Sequence, residues 1–179
     1  MATLFLFART SPEDGQLPYL EDLRQRVAGA DGMRSPFYTG STEAGDAITV
    51  EAESARPDPE DPARTLAQEL RAHIGYSDGS DLTITSRDAV YSDATDLLRL
   101  SGDVTLISSN GYQVRTELLE AHIEEAFAES PGPVEAIGPA GRITSGGMVV
   151  ERTGRQSDEV QLVFTKGVKL VYKRETANE

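Results

Sequence analysis

The sequence predicts an all-β fold, a sandwich, roll or barrel, on three observations. One β-phrase recurs three times. Apolar and polar residues alternate along short segments. Turn signals separate the segments at about eight to twelve residues. The first copy of the phrase runs Leu82-Thr-Ile-Thr-Ser-Arg-Asp-Ala-Val-Tyr and then Leu98-Arg-Leu-Ser-Gly-Asp-Val-Thr-Leu. The second is Tyr112-Gln-Val-Arg-Thr-Glu followed by Gly132-Pro-Val-Glu-Ala. The third is Arg142-Ile-Thr-Ser followed by Leu162-Val-Phe-Thr-Lys-Gly-Val-Lys-Leu. Ile84 to Gly102 and Val114 to Gly132 are both steps of 18 residues, and Ile143 to Gly167 is a step of 24. The extra length fits a polar hairpin loop over Arg152 to Asp158, where a repeat tolerates insertion.

Taken in chain order, the segments read as follows. Leu4 to Ala8 is an apolar run stopped by Arg9, far shorter than the ~20 residues needed to cross a bilayer. On its own it reads either as a strand or as the last turns of a transmembrane helix. Ser11 to Leu17 is a linker. Pro18 to Ala28 is an amphipathic helix, with Pro18 in its first turn, Tyr19, Leu20, Leu23 and Val27 on one face, and Gly29 ending it. Pro36 to Gly40 begins a strand, and Ala47 to Ser54 alternates with Ile48 and Val50 on one face. Arg56 to Arg64, with prolines at 57, 59 and 62, reads as an exposed acidic loop. Leu66, Leu70 and Ile74 stand at helical spacing, but the surrounding repeat favours a strand.

Ser77-Asp-Gly-Ser is a hairpin turn and Ser109-Asn-Gly the strongest turn signal in the chain. Leu98, Leu100, Val104 and Leu106 point one way across Ser101-Gly102. Helical propensity over Leu118 to Glu129 yields to the repeat, which sets Glu117 to Ile123 opposite Arg87 to Asp93 as strand. Val160 to Phe164 and Val168 to Tyr172 form the last pair, and the final residues are a tail.

Composition removes several function classes. The formal net charge is −13, with 17 Lys and Arg against 30 Asp and Glu, which argues against a nucleic-acid partner. The absence of cysteine excludes disulfides, thiolate metal sites and cysteine nucleophiles. His73 and His122 are the only histidines and lack ligand spacing, so no metal and no cofactor is expected. No hydrolase or phosphate-loop motif occurs, and the scattered carboxylates select no acid/base pair for a glycosidase. An enzyme is not expected.

What remains is an apolar inner face: Ile48, Val50, Leu82, Ile84, Leu98, Leu100, Val104, Leu106, Val114, Ile123, Val134, Ile143, Met148, Val150, Leu162, Phe164, Val168, Leu170 and Tyr172. In a closed sandwich these side chains are simply core, and the protein is a structural or adhesive module. If the sheets splay apart, the same side chains line a groove for acyl chains. Composition does not separate the two.

The ordered set Ile84-Thr-Ser-Arg-Asp-Ala-Val-Tyr, Leu98-Arg-Leu-Ser-Gly-Asp-Val, Gly111-Tyr-Gln-Val-Arg-Thr-Glu and Gly132-Pro-Val-Glu-Ala-Ile-Gly-Pro-Ala-Gly resembles the LptC family. The resemblance covers roughly Phe37 to Tyr172. LptA and the N-terminal domain of LptD share the repeat. The resemblance implies a β-jellyroll of two facing antiparallel sheets built from OstA-like repeats, preceded by a short helix. It implies residues 1–9 as the remnant of a transmembrane anchor, 10–32 as linker and juxtamembrane helix, 33–173 as a periplasmic domain and 174–179 as tail. It also implies lipopolysaccharide as cargo, held through its lipid A acyl chains on the inner face. The partners implied are the LptB2FG transporter at the N-terminal end and LptA at a C-terminal edge carrying Gly138, Val168 and Tyr172. A single N-terminal helix would hold the domain to the inner membrane. The acidic loop at Arg56 to Arg64 and the long third hairpin depart from the family pattern.

Overall fold

The computed structural model describes residues 32–41, 45–123, 125, 127–152 and 160–172. The helix expected over Pro18 to Ala28, the segments before it and the tail lie outside them. Fourteen strands follow in order: β1 Met33–Arg34, β2 Phe37–Ser41, β3 Ala47–Glu51, β4 Ser54–Pro57, β5 Arg64–Gly75, β6 Asp81–Ser92 and β7 Leu97–Ser108, then β8 Gln113–His122, β9 Phe127–Ser130, β10 Val134–Gly138, β11 Gly141–Ser145, β12 Gly147–Arg152, β13 Val160–Thr165 and β14 Lys169–Tyr172. They form one antiparallel hydrogen-bonded network.

That network is folded into two leaves. β5, β6, β7 and β8 are long enough to cross from one leaf to the other. In the first leaf the order is β2, β3, the end of β5, the start of β6, the end of β7, the start of β8, β10, β11, β14. In the second leaf it is β1, β4, the start of β5, the end of β6, the start of β7, the end of β8, β9, β12, β13. This is the two-sheet jellyroll that the repeat and the resemblance lead one to expect.

The bend between leaves is made by local backbone chemistry. The β6–β7 register slips between Thr85 and Asp88, and the β7–β8 register between Ser101 and Val104. Gly102 takes a φ of 76°, a left-handed turn that glycine enters without steric cost. Arg87 and Asp103 form an ion pair across the outside of this corner. Further along, the strands stop and restart at the same level, at Pro131-Gly132-Pro133 between β9 and β10 and at Lys166-Gly167-Val168 between β13 and β14. Thus Gly102, Gly132 and Gly167, the three glycines of the repeated phrase, all mark one line of corners.

The other half of the phrase marks the same line with hydroxyls. Ile84-Thr-Ser86, Val114-Arg-Thr116 and Ile143-Thr-Ser145 each end on a buried hydroxyl at the bend, and Ser130 adds a fourth. Thr116 Oγ1 lies 2.7 Å from Ser130 Oγ and donates within 3.1 Å of the Pro133 carbonyl. Ser145 Oγ donates to the Gly147 carbonyl at 2.8 Å. These bonds satisfy polar atoms where the ladders are interrupted. Among the described residues Ser86 Oγ has no hydrogen-bond partner. Ser86→Ala is therefore expected to leave stability unchanged or raise it. Thr116→Val, which strips partners from buried oxygens, should lower it by about 1–3 kcal/mol. Urea unfolding of the two variants checks the contrast.

The core lies along the inside of the bend. Ala89, Leu100 and Leu119 of the second leaf join Val104, Val114, Val134 and Ala136 of the first, with Met148 beside them. One local expectation needs correction. Arg56 and Pro57 are not loop but the end of β4, paired with Leu66 and Thr65. Proline is tolerated because it closes the strand, and the loop proper spans 58–63. The helical spacing of Leu66, Leu70 and Ile74 arises from Glu69, whose φ of 49° interrupts the alternation. Pairing sets Leu66 on the outer side, while Leu70 packs on the core. The long third hairpin does connect β12 to β13, although residues 153–159 lie outside the described set.

Candidate functional site

Register brings the inner face together. Cross-strand partners share a face of a sheet, and in the first leaf one chain of partners runs Tyr38, Val50, Ala72, Ile84, Leu106, Val114, Ala136, Ile143, Leu170. All nine positions are apolar or aromatic, across nine strands. At ~4.8 Å between strands the row is roughly 40 Å long. The repeat builds it. Ile84 and Leu106 come from the first copy, Val114 and Ala136 from the second, Ile143 and Leu170 from the third. The adjacent row on the outer side is mostly polar: Thr39, Thr49, His73, Thr83, Ile107, Gln113, Ile137, Arg142, Val171. The second leaf supplies a facing row of Tyr91, Leu98, Ala121, Ala128, Val150 and Leu162. Phe164 and Met148 lie beside it in register.

The interior is not uniformly closed. At the bend Val104 is 0%, Met148 1% and Leu100 2% exposed. Away from the bend, Ile48, Leu82, Ile84, Leu98, Leu106, Ile143 and Phe164 are only half-buried. At the C-terminal end the inner row reaches solvent, with Leu162 at 45%, Leu170 at 57% and Tyr172 at 71% exposed. Burial thus fades with distance from the bend. Of the residues expected inside, Ile123 and Val168 are off a strand. Pairing ends at His122, and Ile123 sits half-buried in the following turn.

The turns along the outer lips of the two leaves are acidic. Turns at the edge of the first leaf carry Asp46, Asp78 and Asp81, and those of the second carry Asp58, Glu60, Asp61, Asp93, Asp96 and Glu125. Part of this charge is structural. Asp58 and Asp61 accept hydrogen bonds from the backbone N–H groups of Glu60 and Ala63, and Asp61 pairs with Arg64 at 3.3 Å. The Ser80 hydroxyl and N–H both donate to Asp78, at 2.6 and 2.8 Å, and hold its carboxyl below the usual range. Tyr76, half-buried at this lip, is raised by burial and then by Asp46 and Asp78, so its phenol stays neutral.

The C-terminal edge expected as an interface is built from three strands in register. Gly138 pairs with Gly141, and Gly141 with Tyr172. At Gly141 a Cβ would run into the Val171 carbonyl, so glycine is what lets β14 close on β11. Val168 and Tyr172 are exposed there.

Among the inner residues that sequence reasoning missed are Tyr38, Ala72, Ala89, Tyr91, Leu119, Ala121, Ala128 and Ala136. Ala136 was in view, since it stands in the repeat where Leu106 and Leu170 stand, but its small size hid it. Ala72 is visible only once β5 is set in register between Val50 and Ile84. Among the described residues no cluster of side chains could hold a metal ion. Nor is any helix long and apolar enough to cross a membrane among them.

A family model described as lipopolysaccharide-assembly, LptC-related, matches residues 38–163. Comparison with curated proteins found no match. The match begins at the first residue of the inner row, spans the first two copies of the β-phrase and ends within β13 of the third. The chain belongs to the LptC family, and so to the machinery of lipopolysaccharide transport.

Proposed function

We propose that the two leaves form a trough that carries lipid A acyl chains along the inner row while sugars and phosphates stay in solvent. Lipopolysaccharide enters from the inner-membrane ABC transporter LptB2FG at the N-terminal end. It leaves toward LptA at the edge carrying Gly138, Val168 and Tyr172. The domain works in the periplasm, held to the inner membrane by a single N-terminal helix. The observation that carries this reading is the unbroken apolar row whose burial fades toward the lips and the C-terminal end.

The physics is that of shielding, not catalysis. An acyl chain in water costs about 0.8 kcal/mol per CH₂ relative to an apolar surface. The inner side chains Ile48, Val50, Leu82, Ile84, Leu98, Leu106, Val114, Ile143, Phe164 and Leu170 offer similar contact at every step, so no position traps the cargo. Leu100, Val104 and Met148 form the floor at the bend, with Ile123, Leu162 and Tyr172 at the margins. The carboxylates on both lips repel phosphates and keep headgroups outside. Directed movement requires work from the ATPase, because a uniform lining has no preferred direction.

A structural or adhesive module with a filled core is the competing reading. The two separate on a displacement assay. The full chain is loaded with a fluorescent acyl probe and titrated with lipid A. Saturable displacement by lipid A, and none by its deacylated sugar, is the expected result. No probe binding would leave the adhesive reading.

A further inference from the structure

The repeat sets a buried hydroxyl at one level of the bend in each of its copies, and the first copy differs from the other two. Thr116 Oγ1 lies 2.7 Å from Ser130 Oγ and donates to the Pro133 carbonyl at 3.1 Å. Ser145 Oγ donates to the Gly147 carbonyl at 2.8 Å. Both acceptors stand at breaks where one strand stops and the next begins, between β9 and β10 and between β11 and β12. In the first copy β6 and β7 run through the bend without a break. There, among the described residues, Ser86 Oγ has no partner, although Ser86 is only 4% exposed. A buried hydroxyl left unpaired lowers stability relative to alanine. Folding by itself therefore does not account for a serine at this position.

Its place on the inner face does. Ser86 pairs in register with Leu70, which packs against the core, and it stands two residues beyond Ile84 of the inner row. Side chains alternate along a strand, so Ser86 shares the interior face with both. Leu70 and Ile84 are half-buried, whereas Leu100 and Val104 are closed off. The hydroxyl thus sits at the step from the half-buried lining to the closed floor. It is a hydrogen-bonding group set into an otherwise aliphatic surface, where a bare hydrocarbon chain leaves it unpaired.

We propose that Ser86 determines specificity on this surface: its hydroxyl pairs with an oxygen carried on the acyl chain, a hydroxyl or an ester, when the cargo parts the leaves at this level. The proposal rests on the acyl-chain reading and names the class of chain within it. A site with a buried polar group favours the ligand that satisfies it over the analogue that does not. One neutral hydrogen bond gives a shallow preference, which sets a register for the cargo without trapping it.

The test uses the full chain loaded with a fluorescent acyl probe. Palmitic acid is compared, as a displacer, with hydroxypalmitic acids bearing the hydroxyl near the carboxyl, in mid-chain or near the methyl end. At least one hydroxylated isomer should displace the probe from the native chain several-fold better than palmitic acid. Ser86→Ala should bind palmitic acid at least as well as the native chain and lose that preference. Ser145→Ala should retain it, because the Ser145 hydroxyl is already engaged within the fold. Circular dichroism confirms that each variant keeps its sheet. Displacement by palmitic acid with no preference for any hydroxylated isomer, a preference that survives Ser86→Ala, or an equal loss in Ser145→Ala would overturn the proposal and leave the acyl-chain reading standing. A native chain that binds no acyl probe overturns both.

Discussion

Leu100→Ala is expected to lower the unfolding free energy by about 2–5 kcal/mol, a large share of the ~5–15 kcal/mol available to a domain. Leu100 is 2% exposed and sits at the inner side of the bend, paired with Ala89 and Leu119 and packed with Val104 and Met148 in one cluster. Its neighbours are held by long strands that cross between leaves, so they cannot collapse into the space left behind. Leu170→Ala removes the same atoms from a residue that is 57% exposed and should cost under about 1 kcal/mol. Urea unfolding of both variants measures the difference. Equal costs would mean that the bend is no spine and that burial along the inner face has another origin.

Leu170→Asp should do the opposite, leaving the fold and removing the function. Leu170 ends the inner row on edge strand β14 and is already largely solvated, so a carboxylate there meets little desolvation. The expected shift in Tm is a few degrees at most. An acyl chain passing Leu170 loses contact with at least two CH₂ groups, worth about 1.6 kcal/mol, and meets a charge as well. Affinity for lipid A should therefore fall more than about tenfold. Unchanged affinity with an intact fold would place the end of the trough before β14.

Much of this architecture was legible because the repeat carries it. Alternation along Leu82-Thr-Ile-Thr and Leu98-Arg-Leu fixed which side chains share a face. The recurrence of Gly102, Gly132 and Gly167 located the corners, since a sharp reversal of strand direction favours glycine wherever it occurs. The turns at Ser77-Asp-Gly and Ser109-Asn-Gly formed as local chemistry demands, with Gly79 and Gly111 at φ of 86°. What stayed hidden depends on partners distant in sequence. Ala72 and Ala136 are too small to signal burial, and only register across β5 to β11 shows them in the row. The bulge at Glu69 turned a strand into an apparent helical pattern. The hydroxyls of Ser86, Thr116 and Ser145 carry no apolar signal, and only the bend shows that they are buried. Whether the leaves splay was not legible, because a filled sandwich and a splayed one draw on the same aliphatic side chains.

The central claim is that lipid travels on the inner row and nowhere else on the protein. Site-specific photocrosslinkers test it through pairs of sequence neighbours that differ only in face: Ile84 against Thr83, Leu106 against Thr105, Ile143 against Thr144, Leu170 against Lys169. With the transporter running on ATP, the first member of every pair should capture lipopolysaccharide and the second should not. Equal capture by both faces, or capture by neither, would contradict the account.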